Sequence, residues 1–215
     1  ISTHALCAHI LLLNRATSSI LLRNRAPSSL VRRRARNTFC TATNRQWDGK
    51  PVLSPIQLLH LHTDFAHRYW SDLLLHAEER PFVIDATAGN GHDALVLAKA
   101  LEAAGGGRLT AVDVQQEAID ATRAKLSASG EWPSVDLEWH VGDHCSLLEG
   151  LDEACATLVT FNLGYLPGGD KAITTTADST LRALAAAERA VSPGGCISVT
   201  LYPGHEEGRR EEEQV

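Results

Sequence analysis

The chain has 215 residues, 44% of them apolar and 21% charged, with a formal net charge of −6; this suits one globular domain with a sizeable core plus an appendage. Five cysteines (Cys7, Cys40, Cys145, Cys155, Cys196) include no C-x-x-C pair, which argues against a zinc ribbon and a disulfide framework and leaves reduced thiols. The charge is unevenly divided: residues 1–47 carry eight arginines (Arg15, Arg23, Arg25, Arg32, Arg33, Arg34, Arg36, Arg45) and no acid, so the remainder sets twelve Lys and Arg against all 26 acids and stands near −14.

An arginine-rich, Ser/Thr-bearing, acid-free N-terminus reads as a removable organelle transit peptide or disordered basic leader over residues 1–47; its composition does not separate chloroplast from mitochondrion, and a chloroplast is the preferred expectation. Its apolar runs at 10–13 and 20–22 are too short, and too interrupted by Arg15, to span a membrane. A basic arm for nucleic acid is the other use of such a block. The missing initiator Met reads as an N-terminal fragment.

After a polar linker at 44–50, the folded domain is expected over 52–215. Ser54 as cap, Pro55 at the first helical position and Gln57 at the third predict a helix start. Leu58, Leu61, Phe65, Tyr69 and Leu73 give that helix one apolar face up to about Glu79, and Pro81 ends it. Next come a strand at 82–85, a helix at 92–104 closed by three glycines, a strand ending at Asp113 and a helix at 116–129. A strand at 135–141, a short helix at 145–149 and a strand at 156–162 follow, then a helix at 176–191 and a strand at 196–202 after Pro193-Gly194-Gly195. Strands separated by helices predict an α/β fold with a mostly parallel sheet covered on both faces.

In such sheets a ligand lies across the carboxyl ends of the strands. The first strand ends in Asp85 and opens into Gly89-Asn90-Gly91, with Asp93 just inside the next helix. Glycines there permit a sharp turn close to a ligand, and the helix N-terminus offers unpaired N–H groups. The loop also satisfies the dehydrogenase pattern G-x-G-x-x-G/A, and Asp113 falls 22 residues after Gly91, where a carboxylate meets ribose hydroxyls. S-adenosylmethionine and NAD both carry that ribose. Asp85 favours the former, since an acid before the glycine loop can help hold a methionine ammonium, and no Tyr-x-x-x-Lys hydride-transfer site is found. Val114 and Gln115 are expected near the adenine. Asp143 and His144 follow the third strand, where Asp143 either accepts from the adenine amino group or caps the next helix. His60/His62 and His140/His144 lack the partners that would complete a metal site.

The fourth strand opens into Phe161-Asn162-Leu163-Gly164-Tyr165-Leu166-Pro167-Gly168-Gly169-Asp170-Lys171. Asn162 and Tyr165 keep the amide and the aromatic of the Asn/Asp-Pro-Pro-aromatic sequence of amino-group methylases, without its prolines. An amide oxygen there can orient a nucleophilic nitrogen while the ring stacks on a base. Taken together, residues 85–93, 161–171, 174–176 and 202–208 resemble the family long labelled rRNA methylases, whose characterised members are MnmM-type tRNA 5-aminomethyl-2-thiouridine methyltransferases. The resemblance spans about residue 54 to the end. It implies a Rossmann-like class I methyltransferase fold, S-adenosylmethionine as cofactor, no metal, and N-methylation of the 5-aminomethyl group on the wobble uridine in the tRNA anticodon loop. Asp85, Gly89, Asn90, Gly91, Asp93, Asp113, Gln115, Asp143 and His144 would serve the cofactor; Asn162, Tyr165 and Asp170 would serve the acceptor, with His205 a weaker candidate. Lys171 and Arg182 would meet phosphates. Such folds continue into a further helix and an antiparallel hairpin, so the C-terminal strands are expected to be missing here and the outer edge of the last strand to lie bare. An rRNA base as acceptor, or a non-catalytic RNA-binding protein on the same fold, are the rival readings.

Overall fold

Proline and glycine set several of the element boundaries in the computed structural model, which describes residues 9–14, 20–22, 55–163 and 177–201. The elements run β1 (His9–Asn14), β2 (Ile20–Leu22), α1 (Pro55–Leu75), β3 (Phe82–Asp85), α2 (His92–Ala103), β4 (Gly107–Asp113), α3 (Gln116–Ser129), β5 (Val135–Val141), α4 (His144–Glu149), β6 (Ala156–Asn162), α5 (Ala177–Ala190) and β7 (Val191–Leu201). Helix α1 begins at Pro55, whose fixed φ suits the first helical position. It ends at Leu75, short of the expected Glu79.

The sheet order is β2-β1-β7-β6-β3-β4-β5. Five strands, β7-β6-β3-β4-β5, are parallel. The chain steps outward from β3 through β4 to β5, then returns to the other side of β3 with β6. This reversal opens a crevice above the carboxyl ends of β3 and β6, where the two strands pair Asp85 with Thr160.

The outer edge of β7 departs from expectation. Strand β1 pairs with it antiparallel, from His9↔Leu201 to Asn14↔Cys196, and β2 pairs with β1 in turn. Two short apolar runs of the arginine-rich leader therefore adopt strand structure and pair with the backbone along the outer edge of β7.

Both faces of the sheet are covered. On one, Trp70 and Leu74 of α1 and Leu97 and Leu101 of α2 pack with Val83, Leu109 and Leu158. On the other, Leu148 of α4 and Ala183 and Ala187 of α5 pack with Ile84, Val159, Phe161 and Val199. The inward face of α1 differs from the predicted one: Ala66, Trp70 and Leu74 are buried, Tyr69 and Leu73 flank them, and Phe65 is 47% exposed. Leu58 and Leu61 have side chains outside the described residues.

Candidate cofactor and acceptor site at the strand ends

Asp85 closes β3 with its side chain fully buried. One carboxyl oxygen accepts from the Thr87 N–H at 3.3 Å, whereas the other has no hydrogen-bond partner among the described residues. Burial, followed by the charges of Asp93 and Asp113, pushes this carboxyl from the ordinary aspartate range up to about 8. Burial of this kind favours the neutral acid, and an approaching cation favours the carboxylate.

The loop after Asp85 is shaped by two left-handed glycines, Gly89 (φ 51°) and Gly91 (φ 72°), on either side of Asn90. Gly91 also abuts α3, since a Cβ there would lie 2.7 Å from the Thr122 Cα. Asp113, at the end of β4, clamps the turn: its two oxygens accept from the N–H groups of Gly89 (2.9 Å) and Gln115 (3.0 Å). The Thr122 hydroxyl donates to the Gly89 carbonyl at 3.1 Å. Gln115 is the N-cap residue of α3 and Gly91 that of α2.

His144 is buried beside the loop. Its Nδ1 lies 3.1 Å from the Ala86 carbonyl and, since a carbonyl oxygen only accepts, donates to it. Its Nε2 is buried without a partner among the described residues, and the ring meets Phe161 edge-on. Asp143 is the N-cap of α4, accepting from the Ser146 N–H (3.0 Å) and hydroxyl (2.9 Å). Although burial raises it, bonds from Ser146 and the Cys145 backbone hold this carboxyl below its ordinary value.

Asn162, the last residue of β6, reaches the same crevice. Its backbone N–H donates to the Thr87 hydroxyl at 2.6 Å and its side-chain amide to Asp93 Oδ2 at 3.0 Å. Asp93 Oδ1 lies 2.8 Å from His67 Nε2 on α1. Asp85, the glycine loop, Asp93, Asp113 and Asn162 thus share one region, with Asp143 and His144 flanking it. Tyr165, Asp170, Lys171 and His205 lie outside the described residues. Arg182 is paired with Glu149 at 2.8 Å on an exposed surface. Sequence reasoning missed Thr87 and His67; a hydroxyl between Asp85 and Gly89 was a visible signal for the first, but nothing local marked the second. Among the described residues there is no cluster of three or more potential metal ligands, and no helix is long and apolar enough to cross a membrane.

A doubly wound sheet with an acid-closed first strand, a left-handed glycine loop and an acid-closed second strand defines a Rossmann-like class I methyltransferase fold. The comparisons agree. Residues 109–215 match the family described as "Putative rRNA methylase". The solved structure of a protein described as a putative rRNA-methylase from Clostridium thermocellum superposes with a TM-score of 0.60 at 34% identity, covering 71% of this chain and 77% of that one. The chain belongs to this rRNA methylase family. It is also 42% identical over 158 residues to the tRNA (mnm(5)s(2)U34)-methyltransferase, chloroplastic, of Arabidopsis thaliana, covering 71% of this chain and 57% of the relative. Ribosomal RNA small subunit methyltransferase J of Halorhodospira halophila is 32% identical over 136 residues, 61% of this chain and 48% of the relative. The chain spans about half the length of these curated relatives.

Proposed function

We propose that the full-length protein transfers a methyl group from S-adenosylmethionine to the 5-aminomethyl nitrogen of the wobble uridine in the tRNA anticodon loop. The observation that carries this reading is the placement of Asn162, an amide at the carboxyl end of β6, joined through Thr87 to the loop that follows Asp85. The 42% identity to the Arabidopsis tRNA methyltransferase supports the acceptor. The chloroplastic name of that relative, together with the acid-free, arginine-rich leader, supports a chloroplast location.

The crevice fits the cofactor on its own chemistry. Asp85 keeps a buried oxygen without a partner among the described residues, a suitable counter-charge for a cationic ligand. Each oxygen of Asp113 retains a lone pair beyond its backbone bond and can take a ribose hydroxyl. Val114 and Val141, at the ends of β4 and β5, are 52% and 44% exposed, an apolar surface for a flat base. Gly89, Asn90 and Gly91 let the backbone approach the amino-acid portion, Gln115 and Asp143 border the base, and His144 braces the loop through Ala86.

Bound there, S-adenosylmethionine supplies an electrophilic methyl group. The chain's own task is alignment of the nucleophile. An alkyl ammonium near the reference lysine pKa of about 10 must lose a proton before its nitrogen can attack. Asp170 is assigned that proton, Asn162 accepts a hydrogen bond from the amine, and Tyr165 stacks on the uracil ring. A body near −14 offers no broad basic footprint, so RNA contact rests on a local patch.

Nucleoside mass spectrometry of tRNA bearing 5-aminomethyl uridine, incubated with the full-length protein and methyl-labelled cofactor, tests the proposal. Label in 5-methylaminomethyl uridine is expected. Label confined to an rRNA base would instead favour the reading suggested by the Halorhodospira relative.

A further inference from the structure

Carboxylates only accept hydrogen bonds, so the groups facing Asp93 must be donors. Oδ2 therefore meets the amide nitrogen of Asn162, at 3.0 Å, and Oδ1 meets a protonated Nε2 of His67, at 2.8 Å. The Asn162 backbone is fixed independently by Thr87, which leaves the side-chain rotor as the element still to be set. Its terminal torsion is broad and two-fold. With the nitrogen committed to Asp93, the amide oxygen is turned to the opposite side, the orientation that the proposed role of accepting from an amine requires. Without Asp93 the group can turn over and present N–H to a nucleophile whose own hydrogens need an acceptor.

His67 holds the carboxylate from the other side. It follows Ala66 on α1, at the rim of the buried stripe, with its side chain 21% exposed and that of Asp93 13% exposed. The ring centroid lies 5.0 Å from that of buried Trp70, one helical turn on, which steadies the imidazole. Three elements, α1, the first turn of α2 and the end of β6, are thereby tied through one carboxylate.

We infer that Asp93 and His67 are positioning residues that fix the Asn162 amide for the acceptor nitrogen, and that Asp93 serves the acceptor rather than the cofactor. This rests on the proposed role of Asn162 in orienting the amine. The discriminating experiment exchanges donor and acceptor in the full-length protein. Asp93→Asn cannot give two donors the acceptors they have now, and Asn162→Asp sets two carboxylates face to face; the double exchange reverses the bond while leaving an oxygen at 93 for His67 and one at 162 for the amine. Each single variant is expected to lower kcat about a hundred-fold, and the double variant to recover to within about ten-fold of wild type. S-adenosylmethionine affinity, measured by calorimetry, changes far less than kcat in all three, the small change reflecting the altered charge beside Asp85. His67→Ala lowers kcat about ten-fold, and His67→Gln, which keeps an N–H donor, restores most of it.

A double variant no better than the singles, or Asp93→Asn weakening the cofactor as much as it slows turnover, would overturn the inference. Wild-type protein inactive on tRNA would instead count against the proposed function. The exchange is then judged on unfolding free energies, where coupling between 93 and 162 supports the bond's role and strict additivity contradicts it.

Discussion

Replacing Gly91 by alanine imposes two separable costs. Its φ of 72° is left-handed, which disfavours any residue with a Cβ by about 1–2 kcal/mol. The added carbon would also lie 2.7 Å from the Thr122 Cα and 2.9 Å from its hydroxyl, so helix α3 must shift, at about 1–3 kcal/mol for an overpacked contact. Gly105 supplies the control: its φ is 91°, but a Cβ there meets nothing within 4 Å. Gly105→Ala should therefore cost only the dihedral part, about 1–2 kcal/mol, and Gly91→Ala about 2–5 kcal/mol. At roughly 2–4 °C per kcal/mol for a chain of this size, their melting temperatures should separate by several degrees. Urea unfolding of the two variants beside wild type measures the difference directly. Because Thr122 also bonds the Gly89 carbonyl, Gly91→Ala should weaken cofactor binding as well, and Gly105→Ala should not. Equal unfolding midpoints for the two variants would refute the close-approach argument.

Other expectations follow from the same geometry. Asp85 has its folded-state pKa raised to about 8 from near 3.8, so its contribution to stability is complete below about 3.8 and is lost as pH rises through 8; Asp85→Asn should flatten that fall in pH-dependent unfolding. Binding of a cationic cofactor should draw the proton off Asp85, seen as buffer-dependent calorimetric heats near pH 7 that vanish in the same variant. Asp113→Ala removes the acceptor of two backbone bonds and any ribose contact, and should weaken S-adenosylmethionine more than it lowers the melting temperature; unchanged affinity by titration would sink the ribose assignment. Asp143→Ala should cost about 1 kcal/mol of stability through loss of the α4 cap, read as a shift in the urea midpoint. Asn162→Ala should leave cofactor affinity intact yet slow methyl transfer to tRNA, and full turnover would remove it from the acceptor site.

Punctuated elements were the most legible in the sequence. Helix α3 and strands β5 and β6 begin and end where predicted, because Asp113, the Gly130–Pro133 stretch and the acids after Gly150 interrupt the apolar pattern on either side. The buried face of α1 was misjudged because two adjacent apolar stripes satisfy one helical period, and the bulk of Trp70 decides which turns inward. Strand β7 starts at Val191, five residues early, through an irregular register with β6 between Ala156 and Leu158 that admits Pro193 and left-handed Gly194. Pairing of β1 with β7 joins segments at opposite ends of the chain and leaves no local trace. The candidate site divides the same way. Asp85, Gly89, Gly91 and Asp113 are recognisable because each sits at a strand end or a tight turn. His67 and Thr87 act across 26 and 75 residues, through contacts that only the packed sheet and helices create.

The central claim is tested most directly by a crystal structure of the full-length protein with S-adenosylmethionine or a stable analogue. The account predicts the ribose on Asp113, the amino-acid end beside Asp85, and the sulfonium methyl facing the Asn162 amide across the β3–β6 crevice. A nucleoside bound away from that crevice, or a methyl directed away from Asn162, would contradict it.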